Sequence, residues 1–589
     1  MKTIEDECKT KSNERRNKQS KNEQRIIKNL KKLPVIITQT DKSKKLIAVD
    51  EDKYKELFKP HMENYKPIKK LKLPLTEQKL FNKELENISD KYEDPLKSLL
   101  LAGKCNEPIP SLMYQVPKDH KETLQGRPIV SSTDTPSTSL NKIISDILKP
   151  LLKLIPAHLQ DSTEFITKIK MHRWNSTDTF GSLDVTCLYG SIPISGDRNV
   201  VKIVGEFYEE NQQHVETPEI TRSDIERMIN MCLTSDTIII NKKAYTQTKG
   251  LAMGNNLSPI LAIIYMNFIE RKILLRAQGK IKIWLRYIDD IFFVSEMGPE
   301  EILTIANETD ENIKFTIETP IENKIPFLDT LLELKPSLNL DTCLYMKAVN
   351  SRHVLPWISN TILNQKIGLI KGERHRAIRL SSGNEMIKKS LQIIKEKLLA
   401  NGYPQNIISK HLYQEKLIKN EEKNETDTII KLPYITDRIS QKMKNIIKKA
   451  PLKINPRIVY KTQPPLKVLL QKKEPNLCGH LCMCNNRNLC TKKNLTYQIT
   501  CNICHETYIG ETYRTIRSRV KEHMNNTTSE VYKHMKEEHK MKPEMKNNNN
   551  INWKILQRGY ETTTHRKKEV EELIKRLKPK INIKFNFNQ

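Results

Sequence analysis

The stretch Ile283–Val294, IWLRYIDDIFFV, constrains the fold of this chain more than any other. Two apolar runs, Ile283–Leu285 and Ile291–Val294, have the length and the Ile, Phe and Val content of β-strands. Between them, Tyr287-Ile288-Asp289-Asp290 reads as a tight turn. A hairpin of this kind carries two adjacent carboxylates at its tip, where bare oxygen ligands suit hard divalent cations. Alone, Asp-Asp between apolar runs is an ordinary solvated turn. Its meaning depends on a third carboxylate and on what surrounds it.

The third carboxylate is upstream. In Ser182–Pro193, SLDVTCLYGSIP, Asp184 ends a strand-like segment and Tyr189 follows five residues later. An acid leaving a strand can hold a metal, and an aromatic one short turn on can crowd the sugar of a bound nucleotide. Gln247–Pro259, QTKGLAMGNNLSP, places Gly250 and Gly254 ahead of an apolar helix, allowing a base pair or phosphate to lie against backbone. Before these, PSLMYQVPKDHKETLQGRPIVSS gathers Lys118, Lys121 and Arg127 on a chain stiffened by Pro117 and Pro128. Cations held together in this way suit a triphosphate or a template backbone.

The remaining pattern is consistent with a polyanion partner. Lys and Arg number 100 against 70 Asp and Glu, a formal net charge of +30, which favours nucleic acid over anionic membrane. The longest apolar stretch, Ile260–Met266, is far short of the roughly 20 residues of a membrane span. The first thirty residues contain no apolar core of a secretion signal, and Met1–Lys32 reads as disordered. Strands are expected at Val35–Thr38, Leu46–Val49, Ile313–Glu318 and Ile325–Glu333. Basic helices are expected beyond Pro356, with Gly402 and Pro404 as a stop.

Taken in order, these parts resemble reverse transcriptases. The wording LPVIITQTDKS, MYQVPKDHK, GRPIVSS, LDVTCLY, GLAMGNNLSP, YIDD, FTIE and IPFLD is similar to the Penelope-like retroelements, relatives of the telomerase catalytic subunit. The resemblance spans about Leu33 to Pro433. It implies that Asp184, Asp289 and Asp290 hold two Mg2+ ions. It also implies that Lys118 and Arg127 contact nucleotide or template, that Tyr189 excludes ribonucleotides, and that Gln247 and Gly254 shape the nucleotide pocket. Two departures stand out: Ser43 replaces the usual Gly after Asp-Lys, and Asn255-Asn256 replaces a small residue and Pro.

Six of the 11 cysteines fall between Cys478 and Cys504, a density that reads as metal binding and not as a disulfide framework. Cys478, Cys482, Cys484, Cys490, Cys501, Cys504 and His505 offer the soft ligands of a Zn2+ site. The irregular spacing leaves the quartet open. From Tyr497 onward a strand, a turn, a second strand (ETYIGET) and a helix bearing Arg514, Arg517, Arg519 and His523 resemble the GIY-YIG endonuclease module that Penelope-like elements carry. Leu495-Thr496 replaces the first Gly-Ile, while Tyr508-Ile509-Gly510 is intact. By this resemblance Tyr497 and Tyr508 position or deprotonate the attacking water, Gly510 lets the strand approach DNA, and Arg519 and His523 face the scissile phosphate. One Mg2+ would be held by a glutamate from HRKKEVEELIKRLKPKIN. Ungapped spacing puts Val570 at that place, between Glu569 and Glu571; either neighbour serves after a small register shift, and Glu571 is the candidate chosen.

The expected fold is therefore α+β and multidomain. A right-hand reverse transcriptase (fingers about 33–180, palm 181–350, helical thumb 351–470) precedes a Cys-rich zinc linker (471–494) and a small mixed α/β endonuclease (495–589). The expected function is a retroelement RNA-directed DNA polymerase that nicks DNA and extends the freed 3′-hydroxyl by copying RNA in the nucleus. Its partners are an RNA template, a DNA primer or target and deoxynucleoside triphosphates; its oligomeric state is left open. The alternatives are a telomerase-like or host-recruited reverse transcriptase with an inactive nuclease, and a decayed copy that only binds nucleic acid.

Overall fold

A computed structural model describes residues 21–30, 32–68, 74–105, 109–118, 123–241, 243–347, 353–413, 428–449, 456–461, 470, 489–490, 492–544, 550–558, 560 and 562–582. The chain forms two compact units. One comprises residues up to 105 together with 110–472, and the other comprises 106–109 together with 473–589.

The first unit is organised around an antiparallel sheet of β1 (Thr179–Val185), β2 (Ile281–Tyr287), β3 (Asp290–Ser295) and β4 (Phe315–Glu318), in the order β4-β1-β3-β2. Strand β3 is covered on both faces, so Ile291, Phe292, Phe293 and Val294 run on without polar alternation, and all four are fully buried. On one face Phe292 meets Phe165 and Phe327, with ring centroids 5.2 and 5.5 Å away. On the other, Ile291 and Phe293 join the cluster that contains helix α1 (Leu257–Arg276). Most of α1 is buried, as its apolar run LAIIYM requires.

A second, five-stranded sheet takes strands Tyr65–Pro67, Lys243–Gln247, Ile238–Ile240, Ser111–Lys118 and Gln125–Ser131 in that spatial order. The hairpin Val35–Gln39 with Leu46–Asp50 forms a two-stranded sheet of its own. Ile325–Glu333 is not one strand. It divides into β5 (Lys324–Phe327) and β6 (Thr330–Leu334), which pair with each other and then with β7 (Leu340–Leu344). The cause is local: Leu328 adopts a left-handed φ of 51°, and the Thr330 hydroxyl donates to the Phe327 carbonyl at 2.7 Å. The strand expected from Ile313 starts at Phe315, because Asp310 accepts from the Asn312 and Ile313 amides and holds that segment as a turn.

Beyond the sheets, α2 (Leu363–Arg379) packs on α3 (Asn384–Ala400), which ends just before a left-handed Gly402 and Pro404. Lys21–Leu30 is a helix inside the stretch read as disordered; Ile26, Ile27 and Leu30 recur at helical spacing, which periodicity favours over disorder. Residues 1–20 lie outside the described residues.

The second unit is a three-stranded antiparallel sheet of β8 (Leu495–Cys501), β9 (Thr507–Thr512) and β10 (Ile551–Arg558), with β8 in the middle. Tyr497, Ile499 and Tyr508 cluster with Ile516 and Val520 of α4 (Ile516–Asn525) and with Val531 and Met535 of α5 (Glu530–His539). Ile509 instead meets Val570, Leu573 and Ile574 of α6 (Thr563–Leu577). Ile509 alternates with Tyr508 along the strand, so α6 covers the opposite face of the sheet. Among the described residues, no helix is long and apolar enough to cross a membrane.

Candidate active sites and metal centre

In the first unit, register brings the acids together. Asp290 lies directly opposite Asp184 across β3 and β1, and the Val185 amide donates to the Asp289 carbonyl at 3.1 Å. The hairpin between β2 and β3 turns through Ile288, whose φ of 58° is strained for a β-branched residue. Arg286 braces that turn. Its side chain is fully buried, and one Nη donates to the Ile288 carbonyl at 3.2 Å. Nε and the other Nη donate to the Glu270 carboxylate of α1 at 2.7 and 3.0 Å, and Trp284 Nε1 joins them at 2.9 Å. Sequence reading missed Arg286, because one cation inside an apolar strand looks like a surface position.

The three carboxylates act on one another. Burial, followed by repulsion from Asp289 and Asp184, pushes the Asp290 carboxyl up to about 6. Burial and Asp289 also raise Asp184, while Lys347 and Lys42 pull it back. These lysines lie outside the motifs that identified the acids. Tyr189 is raised to about 12 by burial first and Asp289 second.

The glycine turn is tied to its neighbours. Gly254 has φ 129°, and a Cβ there would lie 2.3 Å from the Val130 carbonyl oxygen; Val130 in turn donates its amide to Met253 at 2.8 Å. Gln247 Nε2 donates to the Gly250 carbonyl at 2.8 Å, and the Leu251 amide donates to the Tyr189 carbonyl at 2.6 Å. Asn255 accepts from the Ser258 amide at the start of α1, a capping role for one residue of the Asn-Asn departure. Arg127 pairs with Asp41 at 3.4 Å, and the Asp41 amide donates to the Pro117 carbonyl. Lys118 ends its strand opposite Gln125. Lys121 lies outside the described residues.

In the second unit, Tyr497, Tyr508, Arg519 and His523 converge. Tyr497 OH lies 2.7 Å from His523 Nε2 and accepts from Arg519 Nε at 3.0 Å. His523 Nδ1 lies 2.6 Å from Ser529 Oγ, and one assignment these distances allow has the tyrosine O–H donating to Nε2 and Nδ1–H donating to the serine. Glu522 accepts from Arg519 at 2.9 Å and from Arg514. Burial, then the Arg519 charge, drives His523 down to about 3, and burial raises both tyrosines. Gly510 lies opposite Tyr497 in the ladder, and a Cβ there would come within 2.5 Å of the Tyr497 hydroxyl. It makes room for a ring, where sequence reading had assigned it to DNA approach.

Glu571 is not part of this group. It is exposed on α6 beside the buried Val570, and among the described residues it shares no hydrogen bond or ion pair with the four. Asn582 instead braces the sheet, exchanging hydrogen bonds of 2.8 Å with the amide and carbonyl of Ile509.

A metal-ligand cluster does form, from Cys501, Cys504, His534 and His539, whose ligand atoms all lie within 4.8 Å of one another. Cys501 Sγ is 3.4 Å from His539 Nε2, and Cys504 Sγ is 3.3 Å from His534 Nε2 and 3.4 Å from His539 Nε2. Tetrahedral Zn2+ sets S and N ligands about 3.6 Å apart, so the residues fit the ion. Burial, then His539, lowers His534 and favours the neutral ligating imidazole. His505 is outside the cluster: exposed, with φ 63°, it closes the Cys501–Cys504 turn by donating its amide to the Cys501 carbonyl. Cys490 is buried in the apolar core of the unit. Cys478, Cys482 and Cys484 lie outside the described residues. The two histidines could have been found from His534-x4-His539 downstream of the CxxC pair.

Paired aspartates on central strands, with a third in the adjoining turn, are the carboxylate arrangement of metal-dependent polymerases. Comparison agrees on the class: residues 116–318 match the reverse transcriptase (RNA-dependent DNA polymerase) family, and residues 353–413 match the animal helix-turn-helix domain. The chain thus carries a reverse transcriptase domain followed by a helix-turn-helix domain. No curated protein matches it. Among solved structures, Candida albicans telomerase in complex with a fragment of telomeric RNA is similar at 12% identity over 64% of this chain, with a TM-score of 0.43. The match spans 62% of that telomerase chain. Sicinivirus 3Dpol RNA-dependent RNA polymerase is similar at 13% identity over 56% of this chain and 70% of its own, with a TM-score of 0.34. Likenesses this loose carry no inference about substrates.

Proposed function

We propose that the first unit is an RNA-directed DNA polymerase whose Asp184, Asp289 and Asp290 hold two Mg2+ ions. The observation that carries this is the direct Asp184–Asp290 pairing, with Asp289 in the adjoining turn. Bound there, the ions would activate the primer 3′-hydroxyl and neutralise the triphosphate. Arg286 fixes the hairpin, Tyr189 crowds the sugar, and Gln247 and Gly254 shape the turn on which the nucleotide rests. Lys118 and Arg127 face the template or triphosphate. The test is primer extension on an RNA template with Mg2+. Wild-type chain extends and Asp289→Ala does not; no extension by wild type defeats the proposal.

The second unit, in this reading, is a GIY-YIG nuclease of the Penelope-like kind, braced by Zn2+ at Cys501, Cys504, His534 and His539, that nicks target DNA in the nucleus to supply the primer. Tyr497, His523 and Arg519 already form one hydrogen-bonded chain, which supports it. Equal DNA nicking by wild type and Arg519→Ala would remove this half. A second reading, a reverse transcriptase with an impaired nuclease, is favoured by one observation: the glutamate next to Val570 is exposed on the helix that covers the opposite sheet face.

A further inference from the structure

Helix α5 touches different groups at its two ends. Toward its C-terminus, His534 and His539 face Cys501 and Cys504. At its N-terminus, Ser529 occupies the N-cap but makes no side-chain cap hydrogen bond. Serine is among the preferred capping residues, and a serine cap ordinarily stabilises its helix. Here its hydroxyl oxygen instead meets His523 Nδ1, at 2.6 Å.

The two ends converge on one strand. Cys501 ends β8, which also carries Tyr497, and Tyr497 OH is 2.7 Å from the other nitrogen of His523. A metal at the cluster therefore ties the far end of α5 to the strand of Tyr497. Ser529 ties the near end to that tyrosine's partner. A helix of ten residues has little stability of its own in water, so its position depends on its attachments. Among these are the apolar contacts of Val531 and Met535, the Ser529–His523 contact and the two histidines of the cluster.

We propose that Ser529 is the positioning residue of His523, and that metal at Cys501, Cys504, His534 and His539 holds it in place. The hydroxyl holds the ring with Nδ1 toward α5, and in the metal-loaded chain it accepts from Nδ1–H while the Nε2 lone pair receives the Tyr497 proton. Loading the metal therefore prepares the Tyr497–His523 pair, and stripping it releases α5 and lets the imidazole exchange tautomers. The inference rests on the proposed zinc site and does not depend on nuclease activity.

The test uses the full-length chain, reduced, stripped by chelator and titrated with ZnCl2, with histidine-selective 15N labelling. One Zn2+ per chain is expected to bind, and His523 to show a single Nδ1–H form whose proton exchanges about tenfold more slowly than in the stripped chain, the scale of one hydrogen bond. Ser529→Ala should bind the same Zn2+ yet keep the fast-exchanging, mixed-tautomer signal, and Ser529→Thr should restore the slow one. Unchanged His523 signals on Zn2+ loading, or a wild-type signal in Ser529→Ala, overturn the inference and leave the zinc site standing. Failure to bind Zn2+ overturns both.

Discussion

The two clusters of functional groups differ in how complete they are. In the reverse transcriptase domain, the Asp289 charge raises the proton affinity of both Asp184 and Asp290, and Asp184 adds to the effect on Asp290. In the second unit, Tyr497, His523, Arg519, Ser529 and Glu522 form a closed chain of donors and acceptors. The first arrangement costs free energy through that repulsion. The second is satisfied as it stands. Like charges hold one site under electrostatic strain, while hydrogen bonds fix the geometry of the other in advance.

The largest effect should come from removing a repelling charge that the reaction needs. Asp290→Asn is expected to lower RNA-templated extension on the order of a thousandfold while raising thermal stability in metal-free buffer. A fall in metal-free stability would break the contrast. Arg286→Met comes next. It leaves the Glu270 carboxylate buried without its cation, a loss of about 3–5 kcal/mol, measured by urea unfolding. Adding Glu270→Gln should recover part of that loss, because the two residues share one network.

Proton linkage sharpens the contrast, since the two sites should respond to pH with opposite sign. His523 sits well below its ordinary value of 6.5. Between pH 6.5 and about 3 the unfolded chain takes up a proton that the folded chain refuses. Stability around β8 is therefore full above 6.5 and falls by roughly 1.4 kcal/mol per unit below it. Amide exchange of residues 495–501 against pH reads this directly, and His523→Gln should flatten the slope. Asp290 is raised, so its contribution is present at low pH and is lost as pH rises toward about 6 in metal-free protein. Divalent cation should cancel that loss, as measured by exchange in β3. The smallest effect is expected at Asp41. Arg127 is partly exposed, so Asp41→Asn should change stability by less than about 1 kcal/mol, read as a small shift in Tm.

Legibility in the sequence followed the range of the interactions. Asp289 and Asp290 were visible because a hairpin is local: two apolar runs and a turn carry the whole instruction. Asp184 was visible because its strand ends in the same polar break. Arg286 was not, since its meaning comes from Glu270, sixteen residues back and on a helix. His534 and His539 were hidden for a similar reason: the dense cysteines upstream drew attention to Cys478–Cys490, while the ligands that complete the pair lie on a short helix whose place only the fold reveals. Gly510 was visible as a glycine, but its role depended on register. Only pairing opposite Tyr497 shows that the missing side chain is room for a ring. The break at Leu328 escaped because Ile325–Glu333 is apolar enough for a strand on either side of the turn.

The buried pair beneath the Asp289–Asp290 hairpin has an electrical consequence. Arg286 stiffens the turn with a guanidinium, yet Glu270 cancels its charge where it stands. The scaffold under Asp289 and Asp290 is thus rigid but neutral. A lone cation in that place would have served as a built-in counter-ion and competed with any metal. By supplying its own anion from α1, the protein keeps the tip of the hairpin negative and leaves the work of neutralising it to whatever arrives from solution.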